Sequence, residues 1–442
     1  MPSAVTSLNL DRNLTSLANT TEFFEHLQQS KLLTEKQFDA ALETLGELCE
    51  SDAVTIAKAL MKAGILTRLQ AQRLLEGRTR GFFINQYRID DVLGSGGMGW
   101  AYIARDVNTG EEVALKMLCE QSSEDAGLVT RFRLEADAGQ RLNHPAIIRT
   151  REFGTSIGLY GQVHYMVMDL VRGVGLDEFV ALGGPIQWPV ACHIAQHVAA
   201  GLQHAHRNGL IHRDMKPSNI LVDELSNAHI LDFGLSVASQ SALDDEFSLA
   251  MIFGQDCLGT ADYIAPEQAR DSFHVDRRAD LYSLGATMYF MLTGKVMFAD
   301  CDKRAEKIEA HWYREPQPIG ELVPGLPDGV AQVIHKLLAK DREQRYATAR
   351  ELAYALEKFA KPKRIAFDFK QVLDRRFGIA RHRERLWDER AKRAAAVSGL
   401  SVCSVDSKAT RPPQAQIETV IRKDTKLEQT TDGAKKKSPP TP

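Results

Sequence analysis

Ten residues, Ile211-His212-Arg213-Asp214-Met215-Lys216-Pro217-Ser218-Asn219-Ile220, put three different polar groups on one short connection between apolar runs. Gly209-Leu210-Ile211 leads in and Ile220-Leu221-Val222 leads out. A polar connection held between buried strands is where a scaffold can mount reactive side chains with fixed geometry. Asp214 can take a proton from a hydroxyl, Lys216 can neutralise a developing negative oxygen, and Asn219 can hold a metal ion. That set suits phosphoryl transfer, in which positioning and charge stabilisation supply most of the rate. The competing reading is a surface turn with an N-cap and scattered charges.

A chain of 442 residues leaves room for two or three folded units around this stretch. Its apolar fraction of 44% and charged fraction of 26% belong to a globular protein, not a disordered or fibrous one. Net charge near −3 gives no global field toward nucleic acid or a membrane surface. The six cysteines are scattered without a CxxC pair, which argues against a disulfide framework and a zinc site and for a reducing compartment. No signal-peptide pattern opens the sequence and no run of eighteen apolar residues occurs, so a cytoplasmic protein without a membrane span is expected.

Residues 1–20 read as a flexible polar arm and 21–80 as a helical bundle module. In the module, apolar residues recur at three- and four-residue steps (Phe23, Phe24, Leu27; Phe38, Leu42, Leu45; Ile56, Leu60, Met61). A weak repeat is present: Leu32-Leu33-Thr34 with Gln37, then Ile65-Leu66-Thr67 with Gln70, each a capping-box start to a helix. About four helices follow, with no catalytic constellation, so the region reads as a packing or docking module for a protein partner.

From Tyr87 the texture changes to strands and turns. Gly94-Ser95-Gly96-Gly97-Met98-Gly99 forms a GxGxxG, weak evidence alone. In a dinucleotide fold it would open a helix. Here a second strand follows (Ala101 to Ala104), then a turn at Asn108-Thr109-Gly110 and a third strand, Glu112-Val113-Ala114-Leu115-Lys116. Glycines in a hairpin let backbone N–H groups approach phosphate oxygens. Taken singly, Lys116 is a solvated strand-end charge and Glu135, in the helical stretch 129–142, an exposed helical carboxylate. Eighteen residues after Asp214 comes Asp232-Phe233-Gly234, at the end of a strand, with Asn219 in between.

The strand, Gly-rich loop, strand and Lys order, the 211–220 loop and the Asp-Phe-Gly together resemble the protein kinase family. The resemblance covers about 87–360 and is to its bacterial, eukaryotic-like (Hanks-type) Ser/Thr branch. It implies an α+β, two-lobed fold: a small antiparallel sheet with one helix above a larger helical lobe, preceded by the all-α module. It implies ATP and Mg²⁺ as cofactors, with Gly94 to Gly99 and Ala101 covering the nucleotide. Ala101 stands where the family usually has Val over adenine. Lys116 would hold the phosphates and pair with Glu135, backbone groups of Asp169 and Val171 would bond adenine, and Asn219 and Asp232 would be the metal ligands. Asp214 would be the catalytic base with Lys216 beside it, and Lys216-Pro217 resembles the Ser/Thr-specific loop. Protein Ser or Thr hydroxyls, the chain's own included, are the implied substrates.

Gly259 to Glu267 resembles the substrate-docking segment, Arg345 would pair with Glu267, and Arg213 would receive a phosphate from Ser241 or Ser248, with Thr260 a weaker candidate. The acidic cluster Asp244-Asp245-Glu246 is a departure that could supply negative charge to Arg213 instead. A catalytically inactive kinase-fold scaffold is the alternative, and loss of Lys116, Asp214, Asn219 or Asp232 would have favoured it; all four are present. His193, His197, His204 and His206 lack the carboxylate partners and spacing of a metal site and read as packed or solvated helix faces.

Residues 361–397 read as a basic helical extension: 361–393 holds twelve Lys or Arg against five Asp or Glu, with Phe367, Phe369, Phe377 and Trp387 interleaved. A helix folded back on the kinase lobe competes there with binding to a partner helix or anionic surface, and nucleic acid is the least favoured. Residues 398–442 have the composition of a disordered tail.

Overall fold

The structure, a computed structural model, describes residues 19–95, 99–118, 125–158, 161–233, 261–271, 275–365, 367–380 and 382. Ser241, Ser248, Thr260, the Asp244–Glu246 cluster, the flexible arm before 19 and the tail 398–442 all lie outside these residues, as does Trp387.

Four helices open the described chain: α1 (Thr20–Ser30), α2 (Glu35–Leu45), α3 (Ala53–Lys62) and α4 (Arg68–Leu75). Thr34 and Thr67 cap α2 and α4, each accepting from the Gln three residues on while that Gln side chain bonds the cap's own N–H. Orphan donors of the first turn are thereby satisfied by the side chains that the repeat places there. Phe23, Leu27, Ile56, Leu60 and Leu74 form their shared core.

A six-stranded antiparallel sheet follows: β1 (Phe83–Ile84), β2 (Tyr87–Ser95), β3 (Gly99–Asp106), β4 (Glu112–Leu118), β5 (Thr150–Ile157) and β6 (Gln162–Asp169), in the order β1-β2-β3-β4-β6-β5. Helix α5 (Ala126–Gln140) lies between β4 and β5 in sequence. Successive side chains of a strand point to opposite faces. Ala114 and Leu118 of β4, with Met166 and Met168 of β6, pack against Phe132 and Ala136 of α5. Val113 and Leu115, with Trp100, Tyr102, Tyr165 and Val167, pack on the other face against Leu69 of α4 and against Phe377 and Ala380. Both faces of β4 are therefore buried, which is why Val113-Ala114-Leu115 reads as a continuous apolar run.

The larger lobe contains β7 (Gly173–Gly175), α6 (Leu176–Gly183), α7 (Trp188–Arg207), β8 (Ile220–Asp223), β9 (Ala228–Ile230), α8 (Pro266–Arg270), α9 (Arg278–Thr293), α10 (Arg304–Tyr313), α11 (Ile319–Leu322), α12 (Asp328–Leu337) and α13 (Ala349–Glu357). β7, β8 and β9 form a second small antiparallel sheet. Helix α9 is buried on nearly every side and is the hub of this lobe, with Leu281, Tyr282, Leu284, Met288 and Met291 all buried. Gly285 lets it come close to α12: a Cβ there would stand 2.7 Å from Leu337 Cβ.

Beyond α13 the basic extension departs from a continuous helix. Residues 361–365 have no regular secondary structure, and they bond the large lobe through Lys361 N to Pro189 O (3.0 Å) and Ile365 N to Glu224 O (2.8 Å). Helix α14 spans 369–380, and its Val372, Phe377 and Ala380 are buried. Of the two readings of this stretch, the folded-back helix describes 369–380; the rest of 361–397 beyond 382 lies outside the described residues. Among the described residues no helix is long and apolar enough to cross a membrane.

Candidate active site

The loop 211–219 hangs from one buried carboxylate. Asp280, in the first turn of α9, accepts from the backbone N–H groups of His212 (2.9 Å) and Arg213 (2.8 Å) and bonds His206 Nε2 (2.8 Å). Burial works to raise the Asp280 carboxyl, but His206, His212 and these donors outweigh it and hold it below the usual carboxylate range. Arg213 takes a left-handed backbone conformation, φ +65°, and Gln268 Nε2 donates to its carbonyl at 2.6 Å. A non-glycine residue there costs energy, so the loop is held by its anchors and not by local preference.

Three groups converge on the loop's front. Lys216 Nζ lies 2.7 Å from Asp214 Oδ2. Asn219 Nδ2 donates to the main-chain oxygen of Asp214 (2.8 Å) and to its carboxylate (3.1 Å). The amide is thereby fixed with its nitrogen toward Asp214.

Asp232 ends the run after β9 with φ +52°, another left-handed non-glycine residue. The strand's last groups are tied to the loop: His212 Nε2 bonds Leu231 O at 3.0 Å, Leu231 N donates to Asn219 O at 2.9 Å, and the His212 ring stands 4.8 Å from that of Phe233. From the small lobe, Lys116 Nζ reaches Glu135 Oε1 at 2.5 Å and Asp232 Oδ2 at 3.0 Å. Burial works to strip the proton from Lys116, but its two carboxylates outweigh that and raise its pKa. Burial also splits the carboxylates: it lifts Glu135 above its ordinary value, Lys116 offsetting only part, whereas for Asp232 the ammonium wins and the pKa falls. Asp232 is thus the more firmly ionised of the two.

Gly94 and Ser95 end β2, and Gly99 begins β3; Gly96, Gly97 and Met98 lie outside the described residues. Gly99 has a packing reason, since a Cβ there would meet Met117 O at 1.9 Å. Ala101 sits between Gly94 and Lys116 in the ladder, paired with both. Asp169 ends β6 beside Val113, with its N–H given to Arg149 O at 3.0 Å, and Val171 O accepts from Gly173 N. Glu267 and Arg345 form a double contact of 2.6 and 2.8 Å inside the large lobe.

Sequence reasoning did not assign the roles of Asp280, Gln268 and His206. Asp280 had one available signal, a carboxylate in the first turn of a helix whose later turns carry no charge. His206 belonged to a histidine group read as plain helix faces; it is instead the side-chain partner of the anchor. His193 and His197 pack ring to ring at 4.4 Å, as do His144 and His204 at 5.3 Å. Among the described residues no group of three or more His, Cys, Asp or Glu is arranged to hold a metal ion.

Residues 87–355 match the protein kinase domain family, which is more than half of the chain. The chain belongs to the protein kinase family. Its relatives include Serine/threonine-protein kinase PrkC of Bacillus subtilis (strain 168), 30% identical over 332 residues, covering 74% of this chain and 48% of the relative. Serine/threonine-protein kinase PknB of Mycobacterium leprae (strain TN) is 35% identical over 268 residues, 61% of this chain and 42% of the relative. The chain thus spans less than half the length of these relatives. The two-lobed kinase fold expected from the 211–220 loop, the Gly-rich hairpin and Asp-Phe-Gly is the fold of this chain.

Proposed function

We propose that this chain transfers the γ-phosphoryl group of ATP to Ser or Thr hydroxyls of proteins, its own included, in a signalling role. One observation carries the reading: Lys116 of the small lobe lies 3.0 Å from Asp232 of the large one, so groups 116 residues apart can serve a single nucleotide. The four residues whose loss would have favoured an inactive scaffold are all present and touch in two pairs, Asn219 with Asp214 and Lys116 with Asp232.

Asp214 orients the substrate hydroxyl and accepts its proton as the oxygen bonds to the γ-phosphorus and the bond to the bridging oxygen of ADP breaks. Lys216 offsets charge on the transferring group. Lys116, kept protonated, holds the α- and β-phosphates, and Glu135 keeps it in place. The carbonyl of Asp169 and the backbone of Val171 receive adenine, under Gly94 to Gly99 and Ala101.

Asn219 and Asp232 would hold Mg²⁺. The donor set fits: Asp232 is held ionised by Lys116, and Asn219, its nitrogen turned to Asp214, keeps an amide oxygen as its acceptor end. When bound, the ion would supply charge neutralisation to the phosphates. Cytoplasmic residence is part of the proposal and rests on the free thiols Cys49, Cys192 and Cys301. The helical module would serve a protein partner, through helices not used against the sheet.

Incubation of the full chain with labelled ATP, Mg²⁺ and a generic basic substrate protein tests the reading. Label should appear on protein with the wild type and not with Asp214→Asn. Equal labelling by both, or none by the wild type, overturns it.

A further inference from the structure

Helix α14 lies on the small lobe, but the chain leading to it is fastened to the large one. Besides the two backbone bonds of Lys361 and Ile365, Lys363 N donates to Ser226 Oγ at 3.1 Å, and Phe367 packs on the large-lobe core. The segment 361–380 therefore crosses from one lobe to the other outside the direct connection between them, the hinge from the end of β6 to the start of β7 (169–173). One side chain makes the crossing again within a single residue. Arg376 Nη1 donates to Leu93 O at 3.2 Å, and its Nη2 bonds Glu178 Oε2 at 2.7 Å. Leu93 immediately precedes Gly94 at the mouth of the Gly-rich hairpin, and Glu178 is in the first turn of α6, just past the hinge.

We propose that Arg376 is a positioning residue for the nucleotide, a clip that holds the Gly-rich strand to α6 and so favours the closed arrangement of the lobes. The proposal rests on the kinase reading of the cleft. An arginine fork suits this task, because one rigid plane presents two donors to two acceptors at once. If the lobes rotate apart, Leu93 and Glu178 separate and one of the two bonds must break. The clip thus adds its energy only to the closed state, and a ligand that needs this state binds in proportion to its population.

The N-terminal module braces the clip. On α14, Val372, Arg376, Phe377 and Ala380 share one stripe at helical spacing, and Asp374 lies at its edge. Arg68 of α4 bonds Asp374 at 2.7 Å, and its guanidinium carbon lies over the Phe377 ring, 4.3 Å from its centre. Gln70, buried on the same helix, donates to Ile89 O (2.8 Å) and Asp90 (3.1 Å) of β2. Module, β2 and α14 thus form one packed body, so a shift of α4 carries Arg376 and Leu93 together relative to Glu178. The part of the chain with no chemistry of its own is coupled to the strand that covers the phosphates.

The test uses the full chain and equilibrium titration with a fluorescent ATP analogue, alongside initial rates at varied ATP. Arg376→Ala should raise the nucleotide Kd and the ATP KM about threefold to tenfold, the size of a partly exposed charged contact. Its kcat at saturating ATP should stay within about twofold and its melting midpoint close to wild type, as a surface truncation away from the core requires. Arg376→Lys should fall between, since an ammonium lacks the fork. Glu178→Gln should weaken binding from the opposite end. Asp374→Ala should also raise the Kd, and the double variant with Arg376→Ala should be no worse than Arg376→Ala alone, because both act through one contact.

An unchanged Kd in folded Arg376→Ala, or a fall in kcat and midpoint with Kd unchanged, overturns the proposal. Titration reads binding without turnover. A chain that binds ATP through the clip yet transfers no phosphoryl group would sink the kinase reading and leave this inference standing.

Discussion

Replacing Asp280 by Asn tests whether the catalytic loop is hung from α9. The carboxylate is 1% exposed and accepts three hydrogen bonds, two of them from the backbone of His212 and Arg213. An amide at the same place can accept from only one of these N–H groups; its NH₂ end then faces the other donor. A buried donor left without an acceptor costs about 1–3 kcal/mol, and the lost bonds were to a charged group. We therefore expect Asp280→Asn to lower stability by about 2–4 kcal/mol, a large share of the roughly 5–15 kcal/mol that a domain has in hand.

Activity should fall further than stability explains. The left-handed backbone of Arg213, φ +65°, is held partly by the N–H bond to Asp280, and Asp214 is the next residue. A loop that relaxes by about 1 Å at a reacting group loses up to about a hundredfold in rate. Urea unfolding gives the first quantity, and kcat at saturating ATP, measured where the variant is still folded, gives the second. A denaturation midpoint and kcat both indistinguishable from wild type would refute the anchoring role. So would a full loss of stability with kcat intact, since then the loop would hold its shape without the carboxylate.

Two further perturbations probe the small lobe. Burial pushes the Asp91 carboxyl up to about 6, Arg68 offsetting part of this while Asp374 and Asp90 add to it. Because the folded-state value lies above the ordinary 3.8, ionising Asp91 costs stability that is lost as pH rises through the interval from about 4 to 6. Asp91→Asn should therefore stabilise the protein by about 1–2 kcal/mol at pH 7.5 and by nothing at pH 4; a gain independent of pH would refute the argument. Gly99→Ala sets a Cβ against Met117 O and forces β3 from β4, so thermal unfolding should show a loss of about 1–3 kcal/mol together with a raised ATP KM. Wild-type stability in that variant would mean the strands yield freely.

The groups of the proposed chemistry were legible before any fold was. Lys116, Asp214, Asn219 and Asp232 stand out through local order, because the proposed phosphoryl transfer needs charges at fixed points, and a strand (Lys116) and the connections beside strands (the other three) carry such groups. The capping boxes at Thr34 and Thr67 were readable for the same reason: their partners lie three residues away. Long-range partners carry no such mark. Nothing near Asp280 says that it will meet the backbone 67 residues earlier, and nothing in α4 says that Arg68 will meet Asp374. The sequence marks Arg376 only as one more basic residue in a basic stretch, which reads equally as a solvated face.

The sequence alone determined which groups the cleft contains, since residue type and spacing decide what can donate, accept or hold a charge. Only the tertiary structure decided what covers the outer face of the small sheet. Apolar alternation shows that a face is buried but not by what, and here α4 and α14, drawn from opposite ends of the described chain, share it. The physical reason is that burial of apolar area is non-directional: any amphipathic helix of the chain could have satisfied that face, and only close packing and the Arg68–Asp374 and Arg376–Glu178 pairs select these two.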